Sequence, residues 1–287
     1  MAFPLTTRRK FLRVAAGTGA AAVLADTVLL EPNRPRIVRK DFALKRWPAR
    51  LDGFTIALLS DFHYDPIFSV HPLRTAIGMV NGLTPDLIVL TGDFVSAPIL
   101  GSSDHKAAEA AEPCARLIRQ MKAKHGLWAI MGNHDYYTDP VRVARALQAE
   151  GIHVLENESA AIERDGGRFW LSGVNDVVAE VADLDKTLHS VPTDEATVLL
   201  AHEPDYADYV ARFPVDLQLS GHSHGGQVRM PWGLMQLYLP EMARKYVWGT
   251  YRIRDLMLYT NAGLGTVGLP IRWNCPPEIT LLTLRRA

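Results

Sequence analysis

Two histidines stand two apart in the stretch Ser-Gly-His-Ser-His-Gly-Gly-Gln, residues 220–227, with glycines on both flanks. Alternation along an extended backbone lets His222 and His224 point the same way. The flanking Gly221, Gly225 and Gly226 permit tight turns and close approach to the two rings. Four more stretches carry side chains of the same kind: Asp61 with His63, Gly92-Asp93, Gly132-Asn133-His134-Asp135, and His202. Carboxylate, imidazole and amide oxygen are hard to borderline donors suited to Mn, Fe, Zn or Mg, and no thiolate stands among them to favour softer ions. Taken singly, each residue has an ordinary explanation, since an Asp after a strand caps a helix or makes a turn and a strand-end His bonds to backbone. Turn chemistry alone gives no reason for the ordered set, each member at the end of an apolar run. The pattern points to a metal-centred site.

Those runs are the elements that must position the ligands. Residues 54–60, 86–92, 126–132, 168–174, 196–202 and 215–221 read as buried strands, and helical patterns fall between them at 71–81, 104–124, 140–150, 184–190 and 205–212. Such alternation is the signature of an α/β fold. The ligands end the first three strands and the last two, and open α/β sheets build their sites at carboxyl ends. After Gln227 the pattern changes to apolar runs without helices, which predicts a mostly antiparallel sheet in the last third. An early strand near 37–44 is expected at an edge.

The blocks SDFH (60–63), TGDF (91–94), MGNHD (131–135), LAHEP (200–204) and SGHSHGGQ (220–227) resemble the five motifs of the calcineurin-like metallophosphoesterases, and the likeness covers about residues 50–287. It implies a four-layer α/β/β/α sandwich of two mixed sheets. It also implies two divalent metal ions, one held by Asp61, His63 and His224, the other by Asn133, His202 and His222, with Asp93 bridging both. A shared anion offsets the repulsion of two dications. The expected reaction is phosphodiester or pyrophosphate hydrolysis by a metal-bridging hydroxide, with His134 protonating the leaving oxygen or stabilising the transition state and Asp135 orienting its ring. Arg272 is a candidate phosphate contact, or else a surface Arg. Two departures from the family pattern stand out: Ala262 occupies a position before Gly263 where relatives often carry Arg, and the block after His63 lacks a common Gly. A phosphomonoesterase or protein phosphatase uses the same chemistry and stays open, as does a non-catalytic metal-binding module.

The chain divides into a leader over 1–30, a basic stretch over 31–50 and the motif-bearing domain over 51–287. Arg8 and Arg9 precede an Ala/Gly-rich apolar run resembling a twin-arginine export signal. That likeness implies export machinery as a partner and a location in the periplasm, the cell wall or the outer face of the cytoplasmic membrane. Because Val14 to Leu30 is short for a span and contains Asp26, cleavage after Ala25 and retention as an anchor are both open. Lys+Arg and Asp+Glu are both 31, so net charge selects no partner. Between Glu31 and Arg50, seven basic residues face two acidic ones, which suits a solvated linker or peripheral contact with an anionic membrane. The substrate expected is a phosphorylated small molecule or a lipid-linked phosphate. The aromatic-rich segment 229–251 forms either a site wall or sheet core. No basic track with interleaved aromatics marks a nucleic-acid partner. Cys114 and Cys275 read as small buried residues, with a single bridge as the alternative.

Overall fold

The computed structural model describes residues 5–97, 104–179, 181–230 and 239–287. Twelve strands are present among them: β1 (Arg36–Leu44), β2 (Phe54–Leu59), β3 (Leu87–Thr91), β4 (Leu127–Ile130), β5 (His153–Val154), β6 (Glu158–Arg164), β7 (Gly167–Gly173), β8 (Thr197–Leu200), β9 (Leu217–Ser220), β10 (Gly249–Ile253), β11 (Leu256–Thr260) and β12 (Glu278–Arg286). They form two six-stranded mixed sheets, ordered β1-β12-β2-β3-β4-β5 and β10-β11-β9-β8-β7-β6. β2, β3, β8 and β9 are buried almost throughout, which is why they read as continuous apolar runs rather than alternating ones.

The helices are α1 (Leu5–Ala25), α2 (Val70–Leu83), α3 (Asp104–Ala107), α4 (Ala111–Ile118), α5 (Asn133–Thr138), α6 (Pro140–Ala149), α7 (Leu184–Leu188) and α8 (Ala207–Val210). α2, α4 and α6 cover the outer face of the first sheet. α7 and α8 cover the outer face of the second. Between the sheets lies a separate core in which Trp47, Phe54 and Phe169 pack ring against ring, with Trp47 and Phe169 centroids 4.9 Å apart. The result is the four-layer α/β/β/α sandwich.

Local chemistry explains the helix boundaries. α6 starts with Pro140 in its first turn, and the Asp139 carboxylate accepts the Arg142 N–H at 3.0 Å. The continuous helix expected over 104–124 is instead broken into α3, a 3₁₀ turn and α4. Pro113 has no N–H and is tolerated only near a helix start, so α4 begins two residues before it.

The last third does not form one antiparallel sheet. β10 and β11 are antiparallel to each other, β11 lies parallel to β9, and β12 leaves for the first sheet, where it inserts parallel to β1 and antiparallel to β2. An edge position in the second sheet would leave one side of this run unpaired, whereas between β1 and β2 both sides of its backbone find partners. β1 takes the edge.

The first thirty residues also join the fold at their end. A helical stretch, Arg8–Asn33, is 26 residues long and contains an 18-residue window with mean hydropathy 1.4 that is 6% buried, a length and composition that suit a signal sequence or a membrane anchor. Its end, closed by a 3₁₀ turn over Glu31–Asn33, is tied down from Thr27 onward. The Arg272 N–H donates to the Thr27 carbonyl at 3.0 Å, and the Glu31 carboxylate accepts the N–H groups of Asn274, at 2.9 Å, and Cys275. Cys114 and Cys275 are both buried and unpaired.

Candidate metal centre

Every ligand-type residue named above follows the carboxyl end of a central strand: Asp61 and His63 after β2, Asp93 after β3, Asn133 after β4, His202 after β8, and His222 with His224 after β9. All are buried. Donor atoms of Asp61, His63, Asp93 and His224 lie within 4.8 Å of one another, as do those of Asp93, His202 and His222. Asp93 is common to both groups.

Three of the four ligand rings are oriented through one nitrogen, which turns the other toward the centre; the second nitrogen of His224, Nδ1, is buried without a partner. His202 Nδ1 donates to the Thr91 carbonyl at 2.6 Å, His222 Nε2 donates to the Glu241 carbonyl at 2.8 Å, and His63 Nδ1 meets Ser96 Oγ at 3.1 Å. An imidazole that donates one N–H to a carbonyl offers a lone pair at its other nitrogen, the arrangement found in metal-binding histidines. His63 Nε2 then lies 3.0 Å from His224 Nε2 and 3.4 Å from Asp93 Oδ2, while His202 Nε2 stands 3.2 Å from the same oxygen without a hydrogen bond. Asn133 Oδ1 is likewise buried and unpartnered. Crowded lone pairs away from water are costly unless cations sit among them. The donor set therefore fits two divalent ions.

Backbone geometry carries part of that cost. Asp61, His63, Asp93, His222 and His224 all have positive φ, between 41° and 65°. For residues other than glycine such conformations cost about 1–3 kcal/mol each and persist where surroundings enforce them. Here the enforcement is reciprocal. The Asp61 carboxylate accepts the His222 N–H at 3.0 Å, Asp93 Oδ1 accepts the His134 N–H at 2.9 Å, and the His63 N–H donates to the Asp93 carbonyl at 2.9 Å. Gly221 is required by closeness to protein atoms more than to ions, because a Cβ there would stand 1.8 Å from Ser60 Oγ and 2.5 Å from Asp61 Oδ2.

Asp135 does not orient His134. Its carboxylate accepts the N–H groups of Asp93, Phe94, Val95 and Gly132 at 2.9, 2.9, 3.2 and 2.9 Å, so it shapes the loop that carries Asp93. His134 Nδ1 accepts the Ala97 N–H at 2.8 Å, which leaves the ring proton on Nε2. The ring meets His63 edge to face at 4.7 Å, at the border of the site and only partly buried.

Arg272 is fully buried, contrary to both expectations for it. Its guanidinium donates to the carbonyls of Ala262, Gly263, Gly265 and Cys275, at 2.6 to 3.1 Å. A cation so occupied braces a loop and has no reach toward a phosphate. Its loop holds the centre, since the Gly265 N–H donates to the Asp61 carbonyl at 2.7 Å and Cys275 Sγ meets the His224 carbonyl at 3.2 Å. The sequence reading also passed over Thr91, Ser96 and Glu241, which orient the rings. The signal for them is indirect, for a ligand His commonly has a partner for its second nitrogen. Within the aromatic-rich segment, residues 231–238 lie outside the described residues.

Charge in the cradle is distributed unevenly. Burial pushes Asp61 up to about 6 and, with Asp93 close by, Asp135 up to about 8, although the N–H groups of Gly132 and Val95 pull the latter back. Burial lowers His63 and His222 to about 3. His202 goes the other way: burial disfavours its charge, but Asp93 first and then Asp61 and Glu203 hold it well above the usual imidazole range.

Buried Asp and His donors paired around one shared carboxylate, at the carboxyl ends of a two-sheet sandwich, define a dinuclear metal-dependent hydrolase. The chain matches the family described as Calcineurin-like phosphoesterase over residues 54–226 and belongs to it. Among its relatives, the "Uncharacterized metallophosphoesterase YkuE" of Bacillus subtilis (strain 168) is 33% identical over 97% of this chain and 98% of its own length. "Phosphodiesterase YaeI" of Escherichia coli (strain K12) is 30% identical over 98% of this chain and 100% of its own. "UDP-2,3-diacylglucosamine pyrophosphatase LpxG" of Chlamydia muridarum (strain MoPn / Nigg) is 26% identical over 95% of this chain and 98% of its own. The protein is thus a metal-dependent phosphoester hydrolase.

Two outcomes follow from this geometry. Asp61 binds metal as the anion and His202 as the neutral ring, so below about pH 6 both give up a proton on binding and metal affinity falls more steeply than tenfold per pH unit, easing above pH 6 to the slope of His202 alone. Titration of the metal-stripped protein with Mn or Zn at pH 5, 6 and 7 measures that slope. Arg272→Met leaves buried carbonyls without donors and lowers stability by about 3 kcal/mol or more in urea unfolding, and Arg272→Lys does not restore it, because an ammonium cannot span the same acceptors.

Proposed function

We propose that the chain hydrolyses phosphodiester or pyrophosphate bonds, on an envelope or lipid-linked substrate, after export by the twin-arginine route. The observation that carries the chemistry is the single carboxylate of Asp93 shared by two groups of open donors. Two bound divalent ions supply an acidified water and positive charge for the phosphoryl oxygens. Asp61, His63, His224 and Asp93 would hold one ion, and Asn133, His202, His222 and Asp93 the other.

His134 acts beside that pair. With Nδ1 accepting from Ala97, its Nε2–H is a fixed donor at the site's border, suited to hydrogen-bonding charge that develops on a phosphoryl or leaving oxygen. Of the two roles the sequence left open, this geometry favours transition-state stabilisation over proton delivery. Asp135 contributes through the Asp93 loop. Diester or diphosphate specificity is supported by the relatives named as a phosphodiesterase and a nucleotide-sugar pyrophosphatase, and a lipid-linked substrate by the second of these. Export is supported by Arg8 and Arg9 at the start of the apolar helical stretch.

The full chain, purified in detergent and stripped of metal, tests the reading when Mn, Zn, Fe and Mg are added back singly. Metal-dependent turnover of an aryl phosphodiester above the matching monoester is expected. His134→Ala lowers kcat by about 10²-fold or more while bound metal, measured by elemental analysis, stays at the wild-type level. Preference for the monoester would shift the assignment to a phosphomonoesterase, and metal binding without turnover of either ester would favour a binding module.

A further inference from the structure

The apolar helix does not leave the domain at an arbitrary point. Its last turns are hydrogen-bonded to residues 272–275 through Thr27 and Glu31, and residues 31–33 pack against α2. Both contacts belong to the metal centre's surroundings. The first loop carries Cys275, against the backbone of His224, and Arg272, which braces the Gly263–Gly265 turn beneath Asp61. α2 begins seven residues after His63.

The same two segments expose large apolar side chains. Ile67 and Phe68, between His63 and α2, are 77% and 55% exposed, and Leu269, between Gly265 and Arg272, is 66% exposed. Gln227, three residues past His224, donates to the Leu269 carbonyl at 3.2 Å, tying that residue to the last ligand segment. Leu29 and Leu30 on the helix are exposed as well, and Arg34 and Arg36, the first cations after it, also face solvent. Apolar side chains with adjoining cations suit the boundary between acyl chains and anionic headgroups.

We infer that this rim rests on a lipid bilayer: the helix stays attached as an anchor, and Ile67, Phe68 and Leu269 enter the interface beside it, so that the metal centre opens at headgroup depth. A span clamped at the site's edge holds that edge at the membrane, whereas a flexible tether would let the domain turn freely. The consequence for substrate rests on the proposed phosphodiesterase reading: the scissile phosphate belongs to an amphiphile presented from the bilayer.

The test uses the full chain reconstituted in phosphatidylcholine and phosphatidylglycerol vesicles. Ile67→Cys, Leu269→Cys and Glu163→Cys are each labelled with an environment-sensitive fluorophore, Cys114 and Cys275 being buried. Glu163 is exposed and lies at the end of the second sheet away from the ligands. Probes at 67 and 269 shift to the blue and are quenched by lipids brominated near the headgroup end of the chain, while the probe at 163 is not. Equal quenching at all three positions would overturn the inference whatever the enzyme hydrolyses. In a second arm, combined Ile67→Asp, Phe68→Asp and Leu269→Asp lowers turnover of a vesicle-embedded phosphodiester about tenfold or more and leaves a water-soluble aryl diester within about twofold. Equal loss on both substrates would overturn it too, by placing these side chains in the site itself.

Discussion

Everything around the metal centre is arranged so that one carboxylate can serve two cations. Asp93 sits after β3, where donors from the first sheet and donors from the second come together, and among the described residues it is the one common to both groups of possible ligands. A lone buried carboxylate is expensive. Here the N–H of His134 donates to its oxygen, and against the cost of burial the rings of His202, His134 and His63 hold Asp93 well below the usual carboxylate range. Without that charge, two dications a few ångströms apart would repel each other with nothing between them.

The site also explains the architecture. Ligands after β2, β3 and β4 belong to one sheet and those after β8 and β9 to the other, so the centre bridges the two layers at a common end. The aromatic core between the sheets, Trp47, Phe54 and Phe169 among it, is what keeps their relative position rigid enough for atoms 3 Å apart to stay in register. Asp135 and Gly221 serve the same end locally. One gathers four N–H groups of the Asp93 loop and its own turn, and the other lets β9 approach Ser60 and Asp61 closely.

Much of this was legible in the sequence because metal chemistry restricts residue type. Asp, Asn and His at the ends of apolar runs leave few other readings when they recur in order, and buried strands announce themselves as unbroken Val, Ile and Leu. What stayed hidden depends on partners distant in the chain. Residues 278–286 read as a strand, but nothing local tells whether that strand joins β11 or inserts between β1 and β2. Asp135 reads most simply against its neighbour His134, whereas three of its four partners lie some forty residues earlier. Arg272 was given a surface or substrate role because Arg is almost never fully buried unless paired, and four backbone carbonyls are a pairing no sequence pattern displays. The positive φ angles of the ligands were invisible for the same reason: they are imposed by contacts between motifs.

The loop from Ala262 to Cys275 joins the parts that the sequence treated as separate. Arg272 draws four of its carbonyls around one guanidinium, and from that knot the loop touches Asp61 through Gly265, His224 through Cys275 and the N-terminal helix through the backbone of residues 272, 274 and 275. A charge buried inside protein is tolerable here because every acceptor it meets is a fixed backbone dipole, one of which, the Gly263 carbonyl, also accepts the Glu278 N–H. Mechanical rigidity follows, since moving any one carbonyl would expose the cation to an empty acceptor position. The leader and the catalytic machinery are therefore coupled through one satisfied buried cation, and a chain that kept the metal motifs but lost this Arg would keep its ligands while losing the frame that orients two of them.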